Sequence, residues 1–342
     1  MHALDFPNNI QIETTSRCNA SCGFCPYPQT SRTQPMGVMD DDLFGSIVRQ
    51  IAQEPVHLVQ PFLNNDPLMD RQIIPRLRLL LERCPRTNIR LTTNGALLRD
   101  EVIAGLSELP LETIHISSNG LTAKVYAETM RIDAYAVLRN VNRLWEALQR
   151  RGSKTRLVVT AVLLHANRRE VIHQRAYWKA RGVEFYLNPL NDRAGNLSQG
   201  QFETQLPFNG EANRTQLRPT PMTSCASVFS FMGIHWNGDV IACCNDWRRA
   251  NVLGNAAEKS LREIWHDAPF VRMRDLSNQG RLDTLPLCGS CGRQRFCIDP
   301  GALKDFLGRQ RVVDTSEEAA WLGAVEDQRT TDPDFIQLGL MA

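Results

Sequence analysis

The chain predicts an α/β fold: a parallel sheet with helices outside it, followed by a small unit built on a β-hairpin and a helix. Three observations carry this prediction. Strand-like and helix-like stretches alternate six times between residue 9 and about residue 190. Polar or glycine-containing stretches follow several of the strands, which is where such sheets place ligands. The alternation stops after Gly195, and a different pattern begins near residue 222.

Ile10–Thr14 reads as the first strand, followed by a cysteine loop. Asp40–Asp42 can cap a helix whose apolar face is Leu43, Phe44, Ile47, Val48 and Ile51. Val56–Leu63 is the second strand and Ile73–Leu81 the next helix. Asn88–Thr92 is the third strand, ending in Thr93-Asn94-Gly95, and Arg99–Ser107 is helical. Thr113–Ser117, ending in Ser118-Asn119-Gly120, is the fourth strand, followed by a long helix over Ala134–Arg150. Arg156–Leu164, a helix over Arg169–Lys179 and a sixth strand over Val183–Leu187 complete the series. Beyond a polar connector, Phe229–Ile234 and Val240–Cys243 flank Asn237-Gly238, a hairpin signal. A helix near Ser260–Leu276 follows, and the last 45 or so residues hold one amphipathic stretch, Glu317–Val325.

With 342 residues there is room for one large domain and one small one. Hydrophobic residues at 42% and charged residues at 22% are an ordinary globular balance. A formal net charge of +2 argues against nucleic acid or membrane as a partner. No apolar run approaches the roughly 20 residues that span a bilayer, and the N-terminus lacks the features of a signal peptide. The expected location is the cytoplasm, where ten cysteines point to metal rather than to disulfides.

Those cysteines are clustered. Cys18, Cys22 and Cys25 follow the first strand directly. Three thiolates so spaced can wrap one face of a [4Fe–4S] cubane, which usually takes four, so one iron is left open. Zinc and unrelated buried thiols are the competing readings, but no histidine stands nearby to complete a zinc site. Cys225, Cys243, Cys288 and Cys291 form the second group. Four thiolates from two places are a full set for a further [4Fe–4S] cluster, and zinc is the rival on spacing alone.

The Cys-x3-Cys-x2-Cys segment, with Phe24 before its last cysteine, resembles the radical S-adenosylmethionine superfamily over about residues 9–195. The resemblance implies a partial (β/α)6 TIM-like barrel. It also implies a [4Fe–4S] cluster with an open iron that chelates S-adenosyl-L-methionine, and reductive cleavage of that cofactor to a 5′-deoxyadenosyl radical. An external one-electron reductant, such as flavodoxin or ferredoxin, is the implied partner. Asn64-Asn65-Asp66-Pro67 stands where the family carries a Gly-Gly-Glu-like or Gly-Glu-Pro-like stretch. Asn65 and Asp66 are therefore candidate cofactor contacts, with Phe24, Thr93, Asn94, Ser117 and Ser118. The stretch Asn191–Gly195 resembles an Asn-Arg-Ala-Gly segment of several subgroups, which adds Arg193.

The second cysteine group resembles the SPASM and twitch extensions of the same superfamily. Gly301 stands where the full SPASM pattern has its next cysteine, so one auxiliary [4Fe–4S] cluster is expected. The implied organisation is a barrel over residues 1–195, a connector over 196–221, an auxiliary-cluster domain over 222–300 and an extension of unassigned role over 301–342. Cys244 and Cys297 are left over; Cys244, beside the cluster loop, is the candidate catalytic residue, a hydrogen-atom donor. Cys84 reads as an inert thiol. Glu13, His115 and Asn188 are candidate substrate contacts.

The function so implied is hydrogen abstraction from a carbohydrate-like small metabolite: a sugar, aminocyclitol or nucleoside intermediate of natural-product or antibiotic biosynthesis. Oxidation, epimerisation and decarboxylation are the possible outcomes. A peptide- or protein-modifying maturase is the alternative within the superfamily. A non-catalytic iron–sulfur electron carrier or a zinc-binding interaction protein is the alternative outside it.

Overall fold

The computed structural model describes residues 2–206 and 223–291. Six strands form the expected parallel series: β1 (Asn9–Ile12), β2 (Leu58–Gln60), β3 (Asn88–Thr93), β4 (Thr113–Ser117), β5 (Arg156–Leu163) and β6 (Glu184–Pro189). Each pairs in parallel with the next. Burial alternates strictly along β3, with Ile89, Leu91 and Thr93 buried and Asn88, Arg90 and Thr92 half-buried. That period of two separates a face packed in the core from a face turned toward the barrel interior.

The helices form where caps and apolar stripes coincide. Asp40 accepts from the backbone N–H groups of Asp42 and Leu43 and starts the helix Asp41–Ile51, which buries Phe44, Ile47, Val48 and Ile51. Asp133 caps Ala134–Arg150 in the same way. Caps of this kind contribute about 1 kcal/mol each.

Some elements depart from expectation. Ala123–Thr129 is an additional helix, capped by Thr122 and anchored by buried Val125 and Tyr126. The single helix expected near 260–276 is two, Leu261–His266 and Ala268–Asn278. Asp267 ends one and caps the other, and Pro269 sits in the first turn of the second, where its missing N–H costs nothing. The connector is also not featureless. Gln199–Thr204 is a helix with a capping box between Ser198 and Gln201. Residues 207–222 and 292–342, among them Cys297, Gly301 and Glu317–Val325, lie outside the described residues.

The second unit continues the first sheet. β7 (Phe231–Ile234) lies parallel to β1, with Asn9 opposite Phe231 and Ile12 opposite Ile234. β8 (Asp239–Ile241) and β9 (Gly254–Asn255) follow antiparallel. The result is one nine-stranded sheet in the order β6-β5-β4-β3-β2-β1-β7-β8-β9, so the hairpin covers an edge of the barrel that β1 would otherwise expose. The hairpin turn is Asn237-Gly238, with Gly238 at φ +91°, the positive φ that such a tight turn demands.

Candidate active site

The C-terminal ends of the barrel strands and the loops after them surround a cavity of about 250 Å³. Cys18, Cys22 and Cys25 all line it, with Phe24 among them. The loop that carries them is held from several sides. The Cys18 N–H donates to the Tyr27 hydroxyl at 2.7 Å. Ser21 and Gly23 donate backbone N–H groups to the carbonyls of Met130 and Thr129, and Asn94 Nδ2 donates to Asn19 Oδ1 at 2.8 Å. Burial, with Asp66 and Cys25 adding to it, pushes the Cys18 thiol up to about 12. Burial and the other two thiols push Cys22 well above its ordinary value, and burial raises Cys25. The positive charge of Arg193 acts on Cys22 and Cys25 in the opposite sense.

Asp66 and Asn65 line the cavity and are buried, but they do different things. The Asp66 carboxylate accepts from the Leu68 N–H, the Thr93 hydroxyl and the Asn94 N–H, all within 3.0 Å. It ties the loop after β2 to the end of β3. Asn65 Oδ1 accepts from the Leu63 N–H, while its buried Nδ2 has no partner among the described residues. Thr93 and Asn94 also line the cavity. Ser117 does too, but Ser118 does not. The Ser118 hydroxyl, buried behind β4, meets the Tyr126 hydroxyl at 2.7 Å and accepts from Gln174 Nε2 at 2.8 Å. These two partners hold Ser118 away from the cavity, so only Ser117 of this pair reaches it.

Arg193 reaches the cavity from the loop after β6. Its backbone is left-handed (φ 53°), as are Ala194 (φ 58°) and Gly195 (φ 75°). Ala194 is buried against Leu287 and Cys291, with Cys243 packed beside them. The second thiol group gathers on that side. Cys225 and Cys291 act electrostatically on Cys288, and Cys225 on Cys243. Burial pushes Cys288 up to about 12. Cys244 is exposed and lines the main cavity with Cys18, Cys22 and Cys25. The Cys243 and Cys244 side chains are themselves hydrogen-bonded, so this pair stands where the cavity and the second thiol group meet.

Among the described residues no three His, Cys, Asp or Glu side chains already stand at metal-coordination geometry. The donor chemistry nevertheless fits. Each group brings half-buried or buried thiols that repel one another as thiolates, and a strong local positive charge would hold them in that form. The orphaned Asn65 donor fits an anionic or carbonyl partner in the cavity.

The proposed substrate contacts fare differently. Glu13 is absent from the cavity lining; it is buried and paired with His235 Nδ1 at 2.9 Å, with Arg249 at 3.7 Å. His115 also lies off the lining. Burial, with Arg90 adding to it, lowers it to about 4. Asn188 on β6 does not line the cavity either. Tyr27, Gln11, Asn245 and Trp247 do line it and were not among the expected site residues. An aromatic two positions after the last cysteine was the signal for Tyr27. Gln11 sits in an ordinary strand, and nothing local marks it.

A family model described as the radical SAM superfamily matches residues 12–173, and one for an iron–sulfur cluster-binding domain, SPASM, matches residues 225–292. The chain belongs to the radical SAM superfamily. It is an enzyme of that superfamily, with a [4Fe–4S] cluster and S-adenosyl-L-methionine as cofactors and auxiliary iron–sulfur ligation in the SPASM region. Among relatives, a S-adenosyl-L-methionine-dependent 2-deoxy-scyllo-inosamine dehydrogenase of Niallia circulans is 20% identical over 82% of this chain and 91% of that one. A tungsten-containing aldehyde ferredoxin oxidoreductase cofactor-modifying protein of Pyrococcus furiosus is 24% identical over 84% and 88%. The crystal structure of BtrN in complex with AdoMet and 2-DOIA superposes with a TM-score of 0.55 at 20% identity, covering 85% of this chain and 94% of that one. SuiB of Streptococcus suis, bound to precursor peptide SuiA, gives 0.62 at 18% over 86% and 71%. At these identities the structural matches establish the fold. No helix among the described residues is long and apolar enough to cross a membrane.

Proposed function

We propose that this radical SAM enzyme removes a hydrogen atom from a carbon of a sugar-like or aminocyclitol-like metabolite and returns one from the Cys244 thiol, epimerising that carbon. The observation that carries this reading is the position of Cys244 on the same cavity as Cys18, Cys22 and Cys25. In this reading those three thiols hold the radical-generating cluster, and Cys225, Cys243, Cys288 and Cys291 hold the auxiliary one. When bound, the cofactor pair supplies the 5′-deoxyadenosyl radical that takes the substrate hydrogen. Asn65 Nδ2, the Asn64–Asn65 backbone and Arg193 bind and orient the cofactor's methionine end. Cys244 then gives its S–H hydrogen to the substrate radical. The sulfur is restored by one electron from an external one-electron reductant and one proton from solvent, to which it is exposed.

The lining supports a small polar substrate. Apart from thiols, the only ionisable acid and base along it among the described residues are Asp66 and Arg193, besides the Tyr27 phenol. Asp66 is already engaged by three donors. Set among apolar Phe62, Leu63, Met130 and Val162, the other polar lining groups are hydroxyls and amides, among them Thr92, Ser117, Asn119, Thr160 and Asn245, a set suited to hydroxyl and amine groups. The aminocyclitol named in the Niallia circulans relative agrees with that chemistry.

Oxidation to a ketone is the second reading. The dehydrogenase named in the same relative favours it, as does the gathering of four further thiols that would hold an electron acceptor. The deciding experiment uses reconstituted protein, S-adenosyl-L-methionine and dithionite in D2O, with 2-deoxy-scyllo-inosamine and related amino sugars. Epimerisation requires an inverted product with one solvent-derived deuterium. It also requires a Cys244→Ala variant that still forms 5′-deoxyadenosine but no inverted product. A ketone free of solvent deuterium would replace the first reading with the second. Absence of substrate-dependent 5′-deoxyadenosine with every small polyol would remove the substrate class and turn attention to peptides.

A further inference from the structure

Two polar groups in the cavity wall have no role in the reading above. Gln11, on β1, lines the cavity, and its Oε1 is enclosed without a hydrogen-bond partner among the described residues. Trp247, three residues after Cys244, also lines it, and its indole Nε1 is enclosed and donates to nothing among them. Groups of this kind are rare in native folds and call for an explanation. These two are complementary, one an acceptor only at the free atom and the other a donor only. They come from different units, Gln11 from the first barrel strand and Trp247 from the loop after β8. Neither lies in the stretches after β2 and β3 that carry Asn65, Asp66, Thr93 and Asn94.

Cys244 and Trp247 are joined by a well-fixed turn. The Asp246 N–H donates to the Cys243 carbonyl, and the Asp246 carboxylate accepts from the N–H groups of Ala250 and Asn251 at 2.8 Å. Asn64, in the orientation that satisfies its amide, donates to the carbonyls of Leu63 and Cys244. The indole and the Cys244 thiol are therefore positioned by one rigid segment.

We propose that Gln11 and Trp247 form the subsite that holds the substrate ring. Gln11 Oε1 takes an N–H or O–H of the ring's amine or hydroxyl. The indole packs against the ring's C–H face, and Nε1 donates to a hydroxyl oxygen. The same segment then presents the neighbouring carbon to Cys244. An amine- or hydroxyl-bearing ring satisfies both orphaned groups at once, whereas a carboxylate offers Gln11 no donor. This inference rests on the polyol reading of the cavity.

The test measures binding rather than turnover. Cluster-reconstituted protein, loaded with S-adenosyl-L-methionine, is dialysed to equilibrium against 2-deoxy-scyllo-inosamine. Wild type is compared with Gln11→Leu, Trp247→Phe and Trp247→Leu, each checked for iron content and for S-adenosyl-L-methionine binding. The expected result is about tenfold weaker binding for Gln11→Leu and for Trp247→Phe, which keeps the ring face but loses the donor, with unchanged iron and cofactor binding. Trp247→Leu, lacking both, weakens binding further. Equal binding by wild type, Gln11→Leu and Trp247→Phe overturns the subsite while leaving the polyol reading intact. Failure of the wild type to bind the aminocyclitol, with cofactor still bound, overturns both.

Discussion

Asp66 separates two accounts of the loop after β2, and substituting it measures the difference. The resemblance to the family suggests a carboxylate for the cofactor's ammonium, but in the structure its oxygens already accept from the Leu68 N–H at 3.0 Å, the Thr93 hydroxyl at 2.9 Å and the Asn94 N–H at 2.8 Å. All of this is buried; Asp66 itself is 2% exposed. Asp66→Ala leaves three enclosed donors without an acceptor. At about 1–3 kcal/mol for each unsatisfied group, and allowing for incomplete additivity among neighbours, the expected loss of stability is about 3–6 kcal/mol. Asp66→Asn keeps one acceptor oxygen but sets its NH2 against the other donors, so the expected loss is about half as large. Urea unfolding of the cluster-free protein reads both values from the midpoint, provided the slope is unchanged. A loss under about 1 kcal/mol for Asp66→Ala would refute the hub. So would an Asp66→Asn protein of wild-type stability that has lost S-adenosyl-L-methionine binding, because that pattern belongs to a direct ammonium contact.

Other measurements follow from single features of the structure. Wild-type protein reconstituted without oxygen is expected to hold about eight irons, and a Cys18/Cys22/Cys25→Ala variant about four; loss of all iron, with zinc retained, would contradict the second cluster. Burial holds His115 at about 4, below the ordinary histidine value of about 6.5. Between those two values the unfolded chain takes up a proton that the folded protein refuses, so stability falls as pH drops through that window. Urea midpoints against pH should show a shallower acid-side fall for His115→Gln. Gly195→Ala combines φ +75° with a Cβ 3.0 Å from the Ser290 carbonyl oxygen. It should cost roughly 1–2 kcal/mol and reduce the iron retained by the Cys225–Cys291 group, as read by metal analysis after dilution.

Much of the barrel was legible because its signals are local. The long helix expected over about Ala134–Arg150 is found there, and Asn237-Gly238 marked the hairpin. The three-cysteine loop was legible because its spacing is itself the chemistry. The remainder depended on contacts far apart in sequence. Nothing in Phe231–Ile234 reveals that it will lie beside Asn9–Ile12, more than two hundred residues earlier. Glu13 was read as a substrate contact because it follows the first strand's run into the barrel. His235, directly after the strand next to β1, instead takes its carboxylate at 2.9 Å. Ser117 and Ser118 were indistinguishable until the positions of Tyr126 and Gln174 showed which one faces inward.

That late-arriving strand explains how two groups of thiols from distant parts of the chain come to share one framework. β7 fixes the height of the second unit against the barrel through four residue pairs with β1. The loop after β6 fixes it from the other end. Arg193 and Ala194 are non-glycine residues held left-handed, each at a cost of about 1–3 kcal/mol, so the surroundings must impose the turn. They do so through the Arg193 N–H to Asn191 Oδ1 at 3.0 Å, Asn196 Nδ2 to the carbonyls of Arg193 and Asn245, and the Ser290 hydroxyl to the Ala194 carbonyl. One turn thereby sends the Arg193 side chain into the cavity with Cys22 and Cys25 and packs Ala194 against Cys291 and Cys243. The strain is therefore best understood as the cost of registering the second cysteine group, and with it Cys244, against the first.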